Sequence, residues 1–227
     1  MLVSHRHRFI YLKSLKTAGT SVEIFLEPHC HWPEPWPGPA HDRPAAVTRD
    51  GIIGARGGPA FRGSSPWYNH MPAAELRRAL GEAAWSGYWK FCNVRNPYDR
   101  AVSAFWFTCA TELAALGPEA PFAAIRARFA AWVGEGRPIL DNSRFYVLER
   151  RFALDAVLRF ERLEADLAAA VAHLGLPSAP HPLARHKATQ RRRPEPWQEY
   201  FDAPTARRIE AIAAADFDLF GYERLSA

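Results

Sequence analysis

Three groups of residues have the types and spacing to handle an anion. The first is Lys16-Thr17-Ala18-Gly19-Thr20-Ser21, a short polar turn with one glycine, one cation and three hydroxyls. The second is Arg95, at the head of RNPYDRAVSAFW. The third is His70, in the segment Trp67-Tyr68-Asn69-His70-Met71-Pro72. Arginine suits bidentate phosphate contact. A compact ammonium and free amides at a helix start suit a phosphate or sulfate oxygen. Histidine can take a proton near neutral pH. Each also has a plainer reading: a strand-to-helix turn without ligand, a helix with Asp99 and Arg100 in surface ion pairs, and a histidine that caps a helix or packs beside Trp67.

The elements around these residues follow from local pattern. Residues 8–13 are β-branched and aromatic, as in a strand, and Val22, Phe25 and Leu26 then fall at helical spacing. The first motif therefore sits between a strand and a helix N-terminus. Residues 88–94, YWKFCNV, form an apolar run suited to a buried parallel strand, which puts Arg95 at its carboxyl end. Asn96 and Pro97 are helix-start residues, so Ser103 lies two turns into the next helix. A helix is expected from Pro72 to about Leu80, closed by Gly81, with His70 just before it. Phe122, Ile125, Phe129 and Trp132 share one face of a helix over 121–133, a core face rather than a cofactor box. Residues 156–160 read as a strand, followed by a helix to about Leu174, and Pro204 opens a final helix. Between 28 and 66 lie eight prolines and six glycines, with Asp50-Gly51 fitting a small hairpin inside a long loop. His29, His31 and His41 in that insert lack metal-ligand spacing.

Composition bounds the rest. The 227 residues are 48% hydrophobic, which suits one α/β domain over 1–227 carrying the 28–66 insert. A net charge of +5 suits a polyanionic ligand, but the 25 arginines against 4 lysines are also what compositional bias produces, so nucleic acid is not expected as a partner. Cys30, Cys92 and Cys109 have neither disulfide-framework nor zinc spacing. No signal-peptide core or transmembrane run is visible, and a cytoplasmic location is expected. Oligomeric state is not legible.

The order Lys-Thr-Ala-Gly-Thr-Ser differs from the nucleotide loop GxxxxGK[ST], because Lys16 precedes Gly19 and no glycine lies before Ala18. It resembles the 5′-phosphosulfate loop of sulfotransferases that use 3′-phosphoadenosine 5′-phosphosulfate (PAPS). RNPYDRAVSAFW resembles the 3′-phosphate segment of the same family, and the two occur in family order about eighty residues apart. The FERL stretch at 160–163 and the C-terminal DFDLFGY are similar to later family segments; the 28–66 insert is not covered. The resemblance implies a P-loop-like three-layer α/β fold, with a central parallel sheet flanked by helices. It implies transfer of the sulfuryl group from PAPS to a hydroxyl of a saccharide or other small molecule, with 3′-phosphoadenosine 5′-phosphate (PAP) as product and no metal. Cofactor binding would fall on Lys16, Thr17, Ala18, Gly19, Thr20, Ser21, Arg95 and Ser103, and catalysis on Lys16 and His70. In several carbohydrate sulfotransferases a histidine comparably placed to His70 is the base; Glu23, beside the first loop, is the next candidate. The basic stretch 183–193, with His186, is either a lid or a solvated turn. The rival readings are a magnesium-dependent P-loop phosphotransferase and a non-catalytic polyanion-binding module.

Overall fold

A computed structural model describes residues 1–31, 36–40, 42–117, 119–177, 182–184 and 193–226. In chain order the elements are β1 (Leu2–Ser4), β2 (Phe9–Leu12), α1 (Gly19–Leu26), β3 (Ala46–Val47), β4 (Gly51–Ile53), α2 (Pro59–Arg62), α3 (Ala73–Leu80), α4 (Glu82–Gly87), β5 (Trp89–Val94), α5 (Pro97–Thr108), α6 (Ala110–Ala115), α7 (Phe122–Gly134), β6 (Val147–Leu148), β7 (Arg151–Phe152), β8 (Ala156–Arg159), α8 (Leu163–His173), α9 (Ala203–Ile212) and α10 (Ala214–Phe220). They form two compact units. One comprises Met1–Val94 with Arg144–His186, the other Arg95–Ser143 with Lys187–Ala227.

The first unit is mixed α/β, around a sheet of order β3-β4-β1-β2-β5-β8. Strands β2, β5 and β8 run parallel, with Tyr11 opposite Phe91 and Cys92 opposite Val157. The rest is antiparallel: β1 pairs with β2 and with β4, and β4 pairs with β3. The sheet is thus mixed, where a parallel one was expected. The turn over 5–8, with Arg8 at φ 53, folds Leu2–Ser4 back on β2, and the insert's hairpin then extends that antiparallel edge. Phe9 and Tyr11 point to one face by strand alternation, where they meet Phe91 and Leu158, Val22 and Leu26 of α1, and Leu167 and Ala170 of α8.

The second unit is helical. Its core gathers Tyr98, Val102 and Phe105 of α5, Ile125, Phe129 and Trp132 of α7, Ile209 of α9 and Phe217 of α10. Arg100 is buried within it, 2.5 Å from Asp216 and 2.8 Å from the Leu140 carbonyl. It is therefore a core ion pair rather than a surface one. The three cysteines are buried free thiols. No helix among the described residues is long and apolar enough to cross a membrane.

Candidate anion loop and base

The turn from β2 into α1 is built from two left-handed residues that are not glycine, Lys16 at φ 60 and Ala18 at φ 63. Such residues cost about 1 kcal/mol or more each and persist only where the surroundings fix them. Here Asn93 of the neighbouring strand β5 does the fixing. Its Nδ2 donates to the Thr17 carbonyl at 2.9 Å, its Oδ1 accepts from the Tyr11 hydroxyl at 2.8 Å, and its carbonyl accepts from Ser14 Oγ at 2.5 Å. Ser14 Oγ also lies 2.8 Å from Thr17 Oγ1. The Thr17 hydroxyl is fully buried in this network, so its part towards a ligand falls on the backbone.

Amides of residues 17–20 donate to no backbone carbonyl of the described residues, and the first turn of α1 carries no acidic side chain. Lys16 and Thr20 are half-buried, whereas Ser21 is buried. The result is a run of N–H donors at a helix start with Lys16 and Thr20 in the same turn, which suits an oxyanion. Gly19 has a different reason to be glycine than ligand approach. A Cβ there would lie 2.7 Å from Lys13 Cγ and 3.4 Å from the Ser14 carbonyl oxygen.

Lys13 is the residue that local pattern did not single out. Its stem passes under Gly19, its ammonium reaches Glu23 Oε2 at 2.9 Å, and it is 2% exposed. Glu23 is fully buried, with Oε1 2.9 Å from the Met1 ammonium and Oε2 2.6 Å from Arg56. Arg56 also reaches Glu27 at 2.6 Å, and Arg43 meets the same carboxylate at 2.8 Å. Burial alone would raise the Glu23 pKa. The Lys13, Met1 and Arg56 charges outweigh it and hold the carboxyl well below the ordinary value. Glu23 is therefore removed as a candidate base, since it stays ionised and both oxygens are committed to cations. Arg43 and Arg56 lie in the Pro/Gly-rich insert, so that stretch is pinned to α1 by buried charge.

His70 sits at φ 56, just before α3. Its chain is pinned by Asn69 N–H to the Ala55 carbonyl at 2.7 Å. Nδ1 donates to the Lys13 carbonyl at 2.9 Å, which fixes the neutral tautomer with Nε2 as acceptor. Among the described residues Nε2 has no hydrogen-bond partner. Burial is the main cause that lowers its pKa to about 3, helped by the Lys13 and Met1 charges. The free protein thus holds His70 in the protonation state of a base but with little basic strength at neutral pH.

Arg95 and Ser103 belong to the second unit. Asn96 caps α5 by accepting from Tyr98 N–H at 3.0 Å, and Pro97 fills the first helical position. Arg95 is bound by Asp99, with Nε at 2.8 Å and a terminal nitrogen at 2.7 Å from the same oxygen. Ser103 is half-buried one turn beyond Asp99, so Arg95, Asp99 and Ser103 follow one another at four-residue steps. Asp99 orients the guanidinium and also offsets part of its charge. Residues 185–192, including His186, lie outside the described residues. Among the described residues no cluster of three or more His, Cys, Asp or Glu side chains is arranged to hold a metal. The chain matches no family model, no curated protein and no solved structure.

Proposed function

We propose that the chain is a PAPS-dependent sulfotransferase of P-loop-like fold, moving the sulfuryl group to a hydroxyl of a saccharide or other small molecule. The observation that carries this reading is the β2–α1 junction: four amides with no backbone acceptor among the described residues, Lys16 and Thr20 half-buried in the same turn, and no acidic residue in the first turn of α1. That donor set fits the 5′-phosphosulfate of PAPS, and the 3′-phosphate role of Arg95 and Ser103 rests on the family resemblance of RNPYDRAVSAFW.

In the reaction the acceptor oxygen forms a bond to sulfur while the bond from sulfur to the bridging oxygen breaks, leaving PAP. Lys16 and the 17–20 amides stabilise the charge that grows on the leaving phosphate oxygen. His70 Nε2 accepts the hydroxyl proton while Nδ1 stays bound to the Lys13 carbonyl. The negative charge of the bound nucleotide opposes the Lys13 and Met1 fields, the lesser causes of the lowered His70 pKa, and so raises its basicity in the loaded protein. A second reading, a polyanion-binding module without turnover, draws on the low basicity of His70 in the free chain.

Calorimetry with PAP in chelator, followed by an acceptor screen with labelled PAPS, tests both. The transfer reading expects metal-free PAP binding, a rise in melting temperature and a sulfated product. No heat and no melting shift at high PAP concentration refute it, and tight binding without any product favours the second. Lys16→Ala should lower turnover far more than PAP affinity, because its charge serves mainly the transition state.

A further inference from the structure

The segment around His70 carries charge that the transfer chemistry does not use. Arg62, the last residue of α2, rests over the Tyr68 ring with its guanidinium 4.0 Å from the centroid. Arg144 rests over Phe145 at 4.9 Å, and the Phe145 ring lies 6.2 Å from the His70 ring. Tyr68 lies within the electrostatic reach of both guanidiniums. Burial and its 2.6 Å bond to Glu75 raise its pKa to about 12, and both guanidiniums pull against that rise. Arg62 and Arg144 are exposed, and among the described residues neither has an ion-pair partner. Among the described residues Glu75 is the carboxylate bonded to this cluster, through Tyr68, so two cations face one anion near the proposed base.

An arginine laid on an aromatic face keeps its planar fork of donors while losing part of its freedom. Two such forks, one over Tyr68 and one over the Phe145 ring next to His70, offer donors to a planar anion, and a carboxylate matches a guanidinium bidentately. We propose that Arg62 and Arg144 form an acceptor subsite selecting a polyhydroxylated compound with its own carboxylate, the chemistry of an acidic sugar. This rests on the sulfuryl-transfer reading, since the hydroxyl to be modified must lie at His70 while the carboxylate engages the arginines.

Direct binding is the readout. A disaccharide ending in glucuronic acid and its carboxyl-reduced counterpart are titrated calorimetrically into the full chain with PAP present. The variants are Arg62→Gln, Arg144→Gln and both together, all at exposed positions where glutamine keeps the fold. The acidic probe should bind at least about tenfold more tightly than the neutral one, the scale of one charge-assisted contact. Added salt should shrink the preference. The double variant should bind both probes alike, with PAP affinity within about twofold of the parent. Equal binding of the two probes by the parent chain, no binding of either, or a preference surviving the double substitution overturns the subsite. PAP is also titrated alone. No PAP binding refutes the transfer reading and the acceptor role with it, whereas PAP binding without acidic preference refutes only the subsite.

Discussion

Replacing His70 by asparagine isolates what its half-buried ring does to stability. Asparagine tolerates the φ of 56, cannot titrate, and has an amide able to donate as Nδ1 does. The folded-state pKa is about 3, against 6.5 for an unperturbed histidine. As pH falls below 6.5 the unfolded chain takes up the proton while the folded chain does not. The stability tied to the neutral ring is therefore complete above that pH and drains away as pH approaches 3. At about 1.4 kcal/mol per unit, His70 should account for about 3 kcal/mol of the stability lost between pH 7 and pH 4. Urea unfolding of the parent and His70→Asn chains at both pH values measures it. Glu23 and His29 titrate in both proteins and cancel in the difference. Equal losses in the two chains, or an imidazole resonance titrating near 6.5, refute the reasoning. Repeating the titration with PAP bound extends the test to function. The His70 pKa should rise, and a value still near 3 would end its candidacy as a base at neutral pH.

Asp99→Asn removes the carboxylate that partly neutralises Arg95, so PAP should bind about three- to tenfold more tightly by calorimetry. Arg95→Ala should weaken PAP far more than adenosine 5′-phosphate, and equal losses would remove Arg95 from the 3′-phosphate role. Gly19→Ala should destabilise by about 1–3 kcal/mol, because the new Cβ meets a Lys13 stem anchored at Glu23. Combined with Lys13→Ala, part of that loss should disappear, giving a coupling energy readable from denaturant midpoints. Arg100→Met should cost about 3–5 kcal/mol by leaving Asp216 buried and unpaired, and Asp216→Leu in the same chain should restore much of it.

The sequence by itself determined the elements whose signals are local. Asn96-Pro97 starts α5, Gly81 ends α3 with φ 81, YWKFCNV holds the middle of the three parallel strands, and Asp50-Gly51 leads from the β3 side into β4. Capping, turn conformation and apolar periodicity act within a few residues, so composition at short range suffices. The strand and helix either side of Lys16 were legible for the same reason. What needed tertiary structure was everything set by distant partners. Asn93 holds the loop from 79 residues away, Arg56 meets Glu23 across 33, and Lys13 receives His70 across 57. Glu23 looked available as a base until three cations closed on it. His70 looked like an ordinary histidine until burial beside two cations weakened it. Asn93, a polar residue near the end of an apolar strand, was the one visible sign of the buttress. Burial and charge proximity set those properties, and neither is encoded within a local window: both exist only once the chain has brought the partners together.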